Sequence, residues 1–157
     1  MTKADGEIAM TTKEKLDDLQ ETLDMFADPS SRAELLIGFA DKFKGVPTDV
    51  ASRPYPKRHQ VPQCESEAYV WADVTPDRTL QLHFAVENPS GISAKALAVI
   101  LDSVYSGQPA EDVLSLDPEI VERVFRQNIS MGKGMGLKSM VLAVQALTRD
   151  ALKRTPA

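Results

Sequence analysis

The sequence predicts an α+β fold, a small antiparallel sheet of about three strands packed against helices. Two observations predict it. Apolar residues recur at helical spacing before residue 45 and again after residue 91. Between them, residues 67–86 hold two strand-like runs separated by a proline turn. The 157 residues suit one domain with its own core, expected over 11–157 behind a flexible stretch of 1–10.

A first helix is expected from Thr11 or Thr12, with Leu16, Leu19, Leu23 and Phe26 on one face. Asp28-Pro29-Ser30-Ser31 ends it. Ser30 or Ser31 then caps a second helix, with Glu34 placed as in a capping box. Leu35, Leu36, Phe39 and Phe43 form its stripe, and Gly45-Val46-Pro47 closes it. Pro47, Pro54, Pro56 and Pro62 make 46–63 a loop, because each lacks a backbone donor. A loop of that length is more often functional than accidental.

The first strand runs from Glu67 to Val74 and carries Tyr69, Val70 and Trp71. Thr75-Pro76-Asp77-Arg78 turns the chain. Leu80, Leu82, Phe84 and Val86 alternate with Gln81, His83, Ala85 and Glu87 as the second strand of a hairpin. Asn88-Pro89-Ser90-Gly91 starts a helix with Ile92, Ala96, Val99, Ile100 and Val104 on one face, and Gly107 stops it. A short helix over Pro109–Leu114 follows. Asp117-Pro118-Glu119 opens the next helix, which buries Ile120, Val121, Val124 and Phe125. Gly132, Gly134 and Gly136 read as a flexible loop before a last helix carrying Leu137, Met140, Val141, Val144 and Leu147. Methionines at helical spacing read as core.

A net charge of -5 argues against nucleic acid as the main partner, since no basic excess can neutralise phosphates. The most basic stretch, Pro56-Lys57-Arg58-His59, is short. No run reaches the ~20 apolar residues of a membrane helix, and the first seven residues lack an apolar signal core. A single cysteine cannot form an intramolecular disulfide and fits a reducing compartment. A cytoplasmic protein is expected.

That cysteine, Cys64, is the main chemical candidate. It lies between Gln63 and Glu65 rather than in an apolar run, so a loop or strand edge should hold it within reach of a partner. His59 and His83 are the histidines available as a base if Cys64 is the nucleophile of a thiol enzyme. One cysteine and two histidines lack the paired spacing of a zinc site, so neither metal nor cofactor is expected. Gly132-Lys133-Gly134-Met135-Gly136 lacks both the residues of a phosphate loop and a preceding strand. It reads as a connector.

Three segments lie in one order over residues 30–150. Val61-Pro62-Gln63-Cys64-Glu65-Ser66 precedes Tyr69-Val70-Trp71. Ala96–Leu101 leads to Ser106-Gly107-Gln108-Pro109, then Val113-Leu114. Gly136-Leu137-Lys138-Ser139-Met140 opens the last helix. With these the chain resembles the SufE family, sulfur-acceptor proteins of iron–sulfur cluster assembly. It resembles a divergent member: Gln63 stands where the family has glycine, Lys133 where it commonly has arginine, and Asn88-Pro89-Ser90 where the helix start is usually acidic. The proline after Ser106-Gly107 also comes one place early.

The resemblance implies a SufE/NifU-like fold and a role for Cys64 as persulfide acceptor. Gln63, Glu65, Ser66, Lys133 and Lys95 would then serve loop and partner contact, with Lys57 and Arg58 as further docking candidates. The implied partners are a pyridoxal-phosphate cysteine desulfurase, which the chain would activate, and an iron–sulfur scaffold. The chain would have no cofactor and no independent turnover. The alternatives are a thiol-dependent enzyme with Cys64 as nucleophile, and a SufE-like binding module without the chemistry.

Overall fold

Thr11 sets the start of α1 (Thr12–Met25) through a complete capping box. Its hydroxyl accepts from the Glu14 N–H at 3.1 Å, and the Glu14 carboxylate accepts from the Thr11 N–H at 2.8 Å. The computed structural model describes residues 10–156. The expected flexible stretch therefore lies, over 1–9, outside the described residues.

Helix α2 (Pro29–Asp41) begins earlier than expected, and neither Ser30 nor Ser31 caps it. Asp28 does, accepting from the Ser31 N–H at 3.1 Å. Pro29 then occupies the first helical position, where its fixed φ suits the helix and its missing donor costs nothing. Ser31 becomes a first-turn residue that donates its hydroxyl to Asp28, which leaves Glu34 no capping box to complete.

Among the described residues the sheet has two strands rather than about three. β1 (Ala68–Val74) pairs antiparallel with β2 (Leu80–Val86), in a register running from Ala68↔Val86 to Val74↔Leu80. The segment before β1 adds a single bridge, Gln60↔Tyr69, and the Val61 N–H reaches the Ala68 carbonyl at 2.8 Å. Pro62 has no donor to continue the ladder, and a 3-10 turn at Lys57–His59 precedes the bridge, so this segment does not become a third strand.

The inner face of the hairpin (Ala68, Val70, Ala72, Leu80, Leu82 and Phe84) is buried in the main core. The outer face is covered too. Val46, Trp71 and Ala85 form a second buried cluster, with Ala51, Tyr55 and Tyr69 packed on it. The proline-rich loop is therefore a lid on the sheet. His59 within it stacks on Trp71, with ring centroids 4.9 Å apart.

Helix α3 (Ile92–Tyr105) packs against both α2 and β2, and that sandwich widens its buried stripe beyond the expected face. Ala94, Leu97, Ala98, Leu101 and Tyr105 are buried along with Ala96, Ile100 and Val104, whereas Ile92 is exposed and Val99 half-buried. A 3-10 turn spans Ala110–Ser115. Asp117 then accepts from the Glu119 N–H at 2.9 Å just ahead of α4 (Ile120–Phe125), whose four expected apolar residues are buried.

Helix α5 (Met131–Lys153) takes in the three glycines expected to form a loop. Ser130 caps it, its hydroxyl accepting from the Lys133 N–H at 3.2 Å. Each helical glycine costs about 1 kcal/mol relative to alanine. Burial of Leu137, Met140, Val141 and Val144 against the core, with β1 alongside, offsets that cost. Of the methionines at helical spacing, Met140 is in the core as expected, whereas Met131 and Met135 are exposed.

One buried cation joins the ends of two helices. Arg32 is 2% exposed. Its Nε donates to Phe26 O (2.9 Å), Nη2 to Leu23 O (2.6 Å), and Nη1 to Arg123 O (3.0 Å) and Val124 O (2.7 Å). Carbonyls at the C-terminal ends of α1 and α4 are thus bound by one planar fork, and Leu23 O also accepts from the Phe26 N–H at 3.2 Å. Among the described residues, no helix is long and apolar enough to cross a membrane.

Candidate functional site

Cys64 is half-buried and packs on the edge of the main core. The turn that carries it is built from backbone. Gln63 and Glu67 take positive φ, 60° and 52°, and the Glu67 N–H reaches Cys64 O at 3.2 Å. Gln63 thus adopts the left-handed angles that glycine takes without strain. The backbone shape that suits glycine is kept, and the side chain carries the strain.

The segment after β2 holds this turn from one side. The Glu87 N–H donates to Glu67 O and the Asn88 N–H to Ser66 O, both at 3.1 Å, while Asn88 Nδ2 donates to Glu65 O at 3.3 Å. Arg53, from the lid, grips the Glu87 carboxylate with two bonds of 2.7 and 2.9 Å. That pair holds the Glu87 carboxylate below its usual range, chiefly through the hydrogen bonds from Arg53.

Two glycines let helices approach the turn. A Cβ on Gly91 would stand 2.7 Å from Val86 Cγ1 and 3.1 Å from Ser66 Cβ. A Cβ on Gly136 would stand 3.0 Å from Gln63 O and 3.3 Å from Cys64 Cα. The turn is therefore wedged between the N-terminal ends of α3 and α5. Those ends carry free N–H groups and partial positive charge.

Cys64 sits between two concavities. On one side an open groove is lined by Lys57, Gln60, Val61, Pro62 and Glu65. On the other, a recess of about 20 Å³ is lined by Gln63, Cys64, Glu65 and Ser66 from the turn, Ser93 from α3, and Lys133 and Gly136 from α5. This brings together Cys64, Gln63, Glu65, Ser66 and Lys133. Lys133 belongs to the first turn of α5 rather than to a loop before it. Lys95 is not brought in: its ammonium lies over the Phe43 ring, 6.0 Å from the centroid. Lys57 and Arg58 part company, Lys57 lining the groove and Arg58 a separate cleft beside His59 and Trp71.

Neither histidine bonds Cys64 among the described residues. His59 Nδ1 lies 2.8 Å from Val70 O while its ring stacks on Trp71. His83 faces Trp71 across the hairpin. Among the described residues no group of three or more histidine, cysteine or carboxylate side chains could hold a metal ion.

Ser93, Asn88 and Gly91 were not foreseen from the sequence. Gly132 and Gly136 carried a usable signal, since four residues apart on a helix puts both on one face.

The family model described as "SufE: Fe-S metabolism associated domain" matches residues 17–148. An uncharacterised SufE-like protein of Mycobacterium tuberculosis, from strains CDC 1551 and H37Rv, is 25% identical over 138 residues, 85% of this chain and 92% of that protein. The solution structure of a hypothetical protein from Thermus thermophilus superposes with a TM-score of 0.68 at 26% identity. It covers 88% of this chain and 96% of that one.

Proposed function

The chain belongs to the SufE family, associated with Fe–S metabolism, and from that premise we propose that it is a sulfur carrier with Cys64 as its acceptor. The observation that carries this reading is the placement of the thiol. Cys64 is held on a strained turn between an open groove and a recess with room for about one water-sized body, and so for one sulfur atom.

The donor is a cysteine desulfurase that bears a persulfide on its own cysteine. The Cys64 thiolate attacks the outer sulfur of that persulfide. A new S–S bond forms on Cys64 as the donor's S–S bond breaks, and the donor's cysteine leaves as thiolate. There is no net oxidation, and the step is thiol exchange with a persulfide. Removing the product sulfur frees the desulfurase for another turnover, which is how the chain activates it. An iron–sulfur scaffold then receives the outer sulfur. Gln63, Glu65, Ser66 and Lys133 form the contact surface around the thiol, and Lys57 extends it into the groove.

The competing reading as a thiol hydrolase needs a base on Cys64. It is disfavoured by the engagement of His59 with Val70 O and Trp71.

Intact-mass spectrometry after incubation with a cysteine desulfurase from the same organism and free cysteine tests the proposal. The expected result is a reducible gain of one sulfur atom on the native chain and none on Cys64→Ser. An unchanged mass on a chain whose thiol reacts with iodoacetamide would overturn it.

A further inference from the structure

The recess beside Cys64 has a polar wall that the transfer step does not use. Ser93, the second residue of α3, lines it together with Lys133 of α5. At about 20 Å³ the recess is so small that every group lining it stands close to whatever occupies it. Of the serines nearby, Ser90 and Ser130 are committed, whereas Ser66 of the turn lines the recess together with Ser93 and, among the described residues, its hydroxyl also has no partner. Ser90 Oγ bonds Asn88 Oδ1 at 2.8 Å, and Ser130 Oγ caps α5. Among the described residues, the Ser93 hydroxyl has no hydrogen-bond partner in the protein, so its one donor is free to turn inward.

We propose that Ser93 donates a hydrogen bond to the terminal sulfur of a persulfide anion on Cys64, with the Lys133 ammonium as the neighbouring positive charge. The proposal rests on the sulfur-carrier reading and adds the residue that recognises the loaded form. Ser93 reaches the site only because Gly91 lets α3 close on the turn. Lys133 and the free N–H groups at the start of α5 favour a negative occupant over a neutral one.

Chemical loading tests this without a desulfurase. Cys64 is first converted to its mixed disulfide with thionitrobenzoate. Hydrosulfide then attacks Sγ and displaces thionitrobenzoate as a thiolate, leaving a persulfide on Cys64. Cyanide takes the outer sulfur away as thiocyanate and returns Cys64 as thiolate. Thiocyanate release is followed for the native chain, Ser93→Ala and Ser93→Thr.

The expected result is release roughly five- to tenfold faster from Ser93→Ala, the weight of one hydrogen bond, with Ser93→Thr restoring the native rate. Alkylation of unloaded Cys64 by iodoacetamide should be the same in all three, because a merely loosened turn would speed both reactions. Equal release from native and Ser93→Ala, or a parallel rise in alkylation, would overturn the proposal. Transfer from a desulfurase is scored separately on the same proteins. Failure there counts against the carrier reading, and failure of the Ser93 effect alone counts against this one.

Discussion

Gly136 of α5 meets the backbone of Gln63, so closely that a Cβ added at Gly136 would lie 3.0 Å from the Gln63 carbonyl oxygen. Alanine there is pulled two ways. It gains about 1 kcal/mol in helix preference, but it drives a methyl group into backbone that cannot turn aside, which costs roughly 1–3 kcal/mol. The expected outcome for Gly136→Ala is a net loss of stability of about 1 kcal/mol and faster alkylation of Cys64. Gly38, in α2 with open space around it, provides the comparison. Gly38→Ala should stabilise the protein by about 1 kcal/mol. Urea denaturation of both variants checks the pair, and equal stabilisation would rule out the close approach.

Gln63 holds φ at 60°, where a side chain is unfavourable by roughly 1–2 kcal/mol. Gln63→Gly removes that strain but frees the unfolded chain, and the two effects nearly cancel. Gln63→Val adds β-branching to the same angles and should destabilise by about 2 kcal/mol. Denaturation midpoints should therefore order as glycine equal to or above glutamine, with valine lowest.

Arg32 should tolerate neither a change of shape nor a loss of charge. Arg32→Lys keeps the cation but cannot span four carbonyls drawn from two helix ends. A loss of roughly 2–4 kcal/mol is expected for lysine and for methionine alike, because both leave buried carbonyls without donors. Thermal unfolding of the two variants measures it. A variant as stable as the native chain would show that the clip is dispensable.

Tyr105 sets an alkaline limit. Burial, followed by the nearby charge of Asp112, pushes its phenol up to about 12 from an ordinary value of 10.0. The unfolded chain therefore loses this proton first as pH rises. Stability from this group is complete below pH 10 and is lost between about 10 and 12 at roughly 1 kcal/mol per pH unit. Tyr105→Phe should flatten that part of the stability profile. Denaturation midpoints at pH 9, 10 and 11 would show it, and an unchanged slope would assign the alkaline loss to other groups.

The hairpin was legible because its signal is local. Alternation in β2 and the turn at Thr75–Arg78 fix both strands and their register. The position of Cys64 in a turn was legible from its polar neighbours for the same reason. The start of α5 was not. Three glycines argue for a loop by propensity alone, and what overrides them is a one-residue cap at Ser130 together with docking on β1. The third strand is missing among the described residues because of Pro62, whose lack of a donor marks the end of a ladder as well as a loop. Ser93 was illegible for a different reason: nothing near it in sequence announces that α3 and α5 meet at Cys64. The family resemblance located the cysteine, yet it also nominated Lys95, which lies over Phe43 instead.

The wedge that holds Cys64 also fixes when, during synthesis, the thiol becomes guarded. Its turn is complete once β1 and β2 have been made, but one wall of the recess is α5, among the later elements to leave the ribosome. A nascent chain that has emerged only as far as α3 carries Cys64 with half of its surroundings missing, open to any electrophile. Shielding of the thiol is thus tied to completion of the domain, and chains stalled before α5 are expected to be the ones found irreversibly modified at Cys64.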